Sequence, residues 1–124
     1  AKNLIDLATY YENLSYKQIA EKMMQSMKEE FNSFSPNISQ WMQVMGKLAQ
    51  DQVDIAVTGK NSIKLVNKLQ KHFSPLARYS GGERENLPLL KGKLQEGKNL
   101  IYVCKNKTCL APVESVEAAV YQLK

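Results

Sequence analysis

The hydrophobic period of this chain changes once, near residue 52, and that change bounds the folds open to it. Upstream the period is helical. Leu4, Leu7, Ala8 and Tyr11 recur at helical spacing, and Asn13 closes the run. Ser15 stands three residues before Gln18, a capping-box pattern that satisfies two orphan backbone donors and opens a second helix. That helix carries Tyr16, Ile19, Ala20, Met23, Met24, Met27 and Phe31 on one face. Ser35 as N-cap and Pro36 at the first helical position open a third, with Ile38, Trp41, Met42, Met45, Leu48 and Ala49 on one side. The methionines and Trp41 are read as core fillers. Gly46 costs a helix interior roughly 1 kcal/mol, which points to a close helix–helix approach there.

Downstream the elements are short and alternate in type. "VDIAVTG" is β-branched and ends in glycine, so Val53 to Val57 reads as a strand. "NSIKLVNKLQKHF" is a helix with Leu65, Val66, Leu69 and Phe73 inward and Lys64, Lys68 and Lys71 outward. Ser74 and Pro75 stop it, and "LARYS" is the next strand. Strand, helix and strand so close together make a βαβ unit with parallel strands and a right-handed crossover. Gly81, Gly82, Pro88, Gly92 and Gly97 mark a loop, tucked onto the core by Leu87, Leu89 and Leu90. "NLIYVC" is the most strand-like segment. "KNKT" turns it, and "CLAPV" returns antiparallel as an edge strand that tolerates Pro112. Ser115 caps a last helix with Val116, Ala119, Val120 and Leu123 inward. The expected fold is α/β. N-terminal antiparallel helices (1–51) pack with a small, mainly parallel three- to four-stranded βαβ sheet and a C-terminal helix (52–124), as one compact unit.

The net charge of +5 admits nucleic acid or acidic partners. Lys60, Lys64, Lys68 and Lys71 line one side of a helix. A nucleic-acid surface would add arginines or stacking aromatics, and the only arginines, Arg78 and Arg84, lie elsewhere. The stripe is read as a solvated face, and no nucleic-acid partner is expected. No apolar run is long enough to span a membrane, so no membrane partner is expected. "AKNLIDLATYYENL" lacks a signal-peptide pattern and opens directly in a helix, as if an element were entered partway. Two cysteines without a secretory pattern favour a reducing compartment, and a cytoplasmic location is expected.

Few constellations carry chemistry. "VTGKNS" follows a strand and opens a helix, but the residues that a phosphate-binding loop needs are absent at positions 54 and 61. What survives is a generic anion site at Lys60, Asn61 and Ser62, beside the reading of an ordinary βα turn. His72 at a helix end, and the pairs Glu29–Glu30 and Glu83–Glu85, receive no catalytic role. Cys104 and Cys109 with one distant histidine do not make the four ligands of a zinc site, so no metal and no cofactor is expected. If residues 105–108 form a four-residue hairpin loop, the two cysteines face each other. Their Cα atoms would then be about 4.5 or 5.5 Å apart, inside the disulfide range. Lys105 and Lys107 favour thiolate by charge. A reversible redox pair and two reduced thiols packed in a tight hairpin both stand.

Within "YVCKNKTCLAP", Tyr102, Val103, Cys104, Asn106, Cys109 and Pro112 form an ordered set. It resembles the C-terminal signature of the YyaL-type thioredoxin-domain-containing family (spermatogenesis-associated protein 20-like). "NLIDLATYY", "DIAVTG", "HFSP" and "LPLLKGK" are consistent with it. The resemblance implies that residues 1–51 are the last helices of a barrel of helical hairpins, similar to sugar epimerases and six-hairpin glycosidases. It implies that 52–124 is a terminal α/β extension, and that the partners are the helical barrel and thioredoxin-like domain of the parent polypeptide. No catalytic residue carries over. The expected function is a non-catalytic module with a structural and docking role. The alternatives are a thiol-redox accessory using Cys104 and Cys109, or, by fold analogy alone, part of a carbohydrate-modifying enzyme. Surfaces that a parent would cover also allow the chain to self-associate.

Overall fold

A computed structural model describes residues 1–32, 38–72 and 77–124. The expected Ser35 and Pro36 helix start, Phe73, and the Ser74–Pro75 stop lie outside the described residues. The chain divides into two compact units, Ala1–Gln50 and Asp51–Lys124.

The first unit holds α1 (Lys2–Tyr10), α2 (Leu14–Ser26), a 3-10 turn (Glu30–Asn32) and α3 (Ile38–Ala49). Its buried apolar centre is small: Ile5, Ala20 and Val44, with Leu4, Met24 and Leu48 packed against them. Lys47 donates to Asp6 Oδ1 at 2.7 Å, tying α3 to α1. The cap of α2 differs from the expected box. Asn13, not Ser15, is the N-cap, and its side chain accepts from Ser15 N at 3.0 Å. The helix begins at Leu14, so Ser15 is already inside it, and it ends at Ser26, before the expected Phe31. Three of the five methionines are also corrected. Met23, Met42 and Met45 are exposed, and the buried residue of α3 is Val44, which the helical stripe had left out. A Cβ on Gly46 would meet nothing within 4 Å, so no close approach occurs at that position within the described residues.

The second unit is α/β. It holds β1 (Val53–Thr58), α4 (Ser62–Leu69), β2 (Ala77–Gly82), a 3-10 turn (Pro88–Leu90), β3 (Leu100–Lys105), β4 (Thr108–Cys109) and α5 (Val116–Leu123). The strand order is β2-β1-β3-β4. β1, α4 and β2 form the expected βαβ unit, with β1 and β2 parallel. The balance of the sheet differs from the mainly parallel expectation, because β3 pairs antiparallel with β1 and β4 antiparallel with β3. The cause is the segment between β2 and β3. A parallel return needs a crossover, usually helical. Here residues 83–99 stay at the end of the sheet where β1 and β2 finish. Thr58 Oγ1 donates to Lys93 O at 3.2 Å, and Asn61 N donates to Asn99 Oδ1 at 2.9 Å. β3 therefore starts at that end, with Leu100 opposite Thr58, and must run back.

Alternation along the strands sorts the side chains into two faces. Ile55, Val57, Ile101 and Val103 form one buried face with Leu69 of α4 and with Val116 and Ala119 of α5. Ser115 caps α5 as expected, accepting from Ala118 N at 3.2 Å. Tyr79 packs at the margin of this core, and burial pushes its phenol up. The opposite face carries Asp54, Ala56, Thr58, Ser80, Leu100 and Cys104, all buried. It is covered by the 83–99 segment, where Leu90 is fully buried as the apolar run Leu87–Leu90 predicts. No helix among the described residues is long and apolar enough to cross a membrane.

Candidate functional site

The cysteine hairpin grows from the central strand β3. Asn106 and Lys107 form its two-residue turn, both with positive φ (49° and 68°), the pattern that matches the twist of paired strands. The turn is thus shorter than the expected four-residue loop, because Lys105 and Thr108 already pair across it. Asn106 is held twice. Its side chain donates to Asp51 Oδ1 at 2.9 Å, and its backbone N–H donates to Gln52 O at 3.3 Å, anchoring the turn to the lead-in of β1.

One step in from the turn, Cys104 and Cys109 are directly opposite and joined by a disulfide, with Cα atoms 3.8 Å apart, closer than the expected separation of about 4.5 or 5.5 Å. The two residues differ in exposure: Cys104 is 0% exposed, while Cys109 is partly exposed at the sheet edge. Beyond them Leu110 N donates to Val103 O at 2.9 Å, and Ile101 and Val113 exchange backbone bonds. Ala111 and Pro112 together oppose Tyr102 alone, a bulge that lets Pro112 sit where no ladder donor is needed. Gln122 of α5 donates to Ala111 O at 3.1 Å, fastening the bulge to the last helix. Tyr102 points to the covered face, where its hydroxyl donates to Lys93 O at 3.0 Å and its ring lies 5.9 Å from Lys93 Nζ. Tyr102 thus fastens the covering loop and Asn106 the turn, while Pro112 sits in the bulge.

The register adds two residues that the sequence reading did not assign to any site. Cys104 pairs with Asp54 on β1, and Asp54 pairs with Arg78 on β2. Arg78, Asp54, Cys104 and Cys109 therefore form one row across the four strands, on one face. Asp54 is 6% exposed. Its Oδ1 accepts from Arg78 Nε at 2.9 Å and Nη2 at 2.8 Å, and Arg78 Nη2 also donates to Gln52 Oε1 at 2.7 Å. A usable signal was present: opposite charges inside two successive strand-like runs, "VDIAVT" and "LARYS", call for each other when those strands are neighbours.

The other candidates do not converge. Lys60 and Asn61 are exposed, whereas Ser62 is buried beneath Gly81 of β2 with its hydroxyl unpaired. The Asn61 N–H, one of the donors an anion would use, is already taken by Asn99 Oδ1. Lys64, Lys68 and Lys71 are exposed. Among the described residues no three His, Cys, Asp or Glu side chains gather as a metal site. No family model, no curated protein and no solved structure matches this chain.

Chemically, a disulfide can accept a thiolate at one sulfur and release the other, and Cys109 is the more exposed residue of this pair.

Proposed function

We propose that this chain is a thiol–disulfide accessory, exchanging electrons through Cys104 and Cys109 as part of a larger polypeptide. The observation that carries the reading is the in-register pairing of the two cysteines across β3 and β4, with Cys109 partly exposed. Residues paired on one hairpin already stand opposite each other, so forming the bond needs no change of strand register. A cytoplasmic setting, in which cellular thiols keep such pairs cycling, fits this use. The resemblance to thioredoxin-domain-containing proteins suggests the exchange partner, a dithiol in the parent polypeptide.

The test is a redox titration of the folded chain, with Cys104 and Cys109 followed by alkylation and mass. A reversible two-electron transition within the range of thioredoxin-type dithiols, about −270 to −120 mV, is expected. A disulfide that opens only when the protein unfolds would leave the hairpin as a structural staple.

A second reading, a non-catalytic docking module, is supported by the helical unit. Leu14 is 71% and Met42 61% exposed, and Tyr11, Ile19 and Met45 are exposed as well, around a centre that among the described residues is Ile5, Ala20 and Val44. Apolar exposure on this scale suits a unit that packs on further helices of the parent. An apolar dye should bind the isolated chain, and a Leu14→Glu/Met42→Glu variant should bind less dye at unchanged thermal stability. Absence of dye binding would remove this reading.

A further inference from the structure

We propose that the row Arg78–Asp54–Cys104–Cys109 gives the two sulfurs fixed and unequal roles, with Cys109 the atom attacked, Cys104 the leaving group, and Asp54 the positioning residue that restrains Cys104's departure. The inference rests on the thiol–disulfide reading above and specifies how that site works.

Access decides the first half. Cys109 is partly exposed beside the exposed Lys105 and Lys107, whose charges draw an incoming thiolate, while Cys104 has no accessible surface. Charge decides the second half. Asp54 is directly opposed to Cys104 in the antiparallel pair, where Cβ atoms lie about 4.5–5.5 Å apart, so it is the charged residue that the register sets across from Cys104 on β1. Arg78 is one strand further away and bound to that same carboxylate, so it offsets the negative charge without cancelling it. Of the two charges, that of Asp54 stands nearer in the register to an electron pair arriving on Cys104.

The reaction with a monothiol runs in two displacements. A thiolate sulfur bonds to Cys109 Sγ, the Cys104–Cys109 bond breaks, and the electron pair goes to Cys104 Sγ, which takes a proton from water. A second thiolate then attacks the external sulfur of the mixed disulfide, and Cys109 Sγ leaves as thiolate. Two external thiols are oxidised to a disulfide and the protein disulfide gains two electrons.

The experiment treats the folded chain with reduced glutathione, quenches with an alkylating agent, and maps adducts by mass. In the wild type the glutathione adduct should lie on Cys109 over Cys104 by about tenfold or more, with the alkyl group on Cys104. Asp54→Asn should speed opening of the disulfide severalfold, the direction expected when the opposed carboxylate is neutralised. Arg78→Gln should slow it, because Asp54 then acts undiluted, and the double variant should fall between. Each variant is checked for folding by circular dichroism, and the wild-type adduct map stands even where a variant fails that check. Acceleration by both single variants would mean simple loosening and would overturn the role of Asp54. An even adduct distribution, or one favouring Cys104, would overturn the assignment of the sulfurs. A wild-type disulfide that glutathione does not open in the folded state would instead remove the thiol–disulfide reading itself, and this inference with it.

Discussion

Lys107 stands at φ 68°, the second of two successive left-handed residues in the cysteine turn. That conformation costs an L-residue roughly 1–2 kcal/mol, and glycine avoids it at some loss of unfolded-state entropy. Lys107→Gly is therefore expected to raise stability by about 0.5–1 kcal/mol in urea denaturation; no change would mean the turn is not the two-residue form. The same absence of glycine hid the turn from a sequence reading, since Asn-Gly is the usual signal and Asn-Lys is not. Here the pairing of β3 with β1 and the two bonds on Asn106 impose the geometry instead. Gly46 presents the reverse case. A glycine inside a helix signals either close packing or nothing, and only the open space around it decides. Gly46→Ala should stabilise the helical unit by about 1 kcal/mol, read from the Trp41 fluorescence transition. A destabilised variant would show that something packs there.

At the scale of elements, the 83–99 segment shows how a stretch without regular structure becomes a fixed lid on the sheet. Glu85 accepts from Leu94 N at 3.0 Å. That bond first, then those from Gly92 and Lys93 and the charge of Lys91, hold its carboxyl below the ordinary value of 4.5. A depressed folded-state value stabilises the segment fully above the unfolded value, and the contribution disappears as pH falls through the folded one. The Leu94 amide resonance should therefore titrate with a midpoint below 4.5, and Glu85→Gln should abolish the titration. A midpoint at or above the ordinary value would contradict the contact. The apolar run Leu87–Leu90 made the tuck legible, but its fastening by Glu85 and Tyr102 was not, because those bonds join residues that only the fold brings together. Caps divide in the same way. Ser115 was legible because its bond is local, and Ser115→Ala should cost α5 about 1 kcal/mol. At α2, two capping residues stand two positions apart, and the choice of Asn13 follows from where the preceding turn, with Glu12 at φ 50°, releases the chain.

For the whole molecule, the two units are unequal in what they bury. The α/β unit has a core shared by three strands and two helices, whereas the helical unit centres on Ile5, Ala20 and Val44. The disulfide closes a loop with a sequence separation of 5, for which chain entropy predicts about 2 kcal/mol. Cys104→Ala/Cys109→Ala should remove about that much from the α/β unit, seen as lost amide protection in β1 and β3, and leave the Trp41 transition unchanged. A shift of both transitions together would mean that the units unfold as one. By itself the sequence determined the kinds of elements and their order: helices to about residue 50, then strand, helix, strand, loop, hairpin and capped helix. It also placed the cysteines opposite one another. Period, capping and turn-forming residues act over a few positions, so they can be read locally. Only the tertiary structure decided the antiparallel return of β3, the apolar faces of α2 and α3 left open, and the row joining Arg78 and Asp54 to the disulfide. Those features depend on which distant strands become neighbours, and that is settled by where the 83–99 segment is tied down.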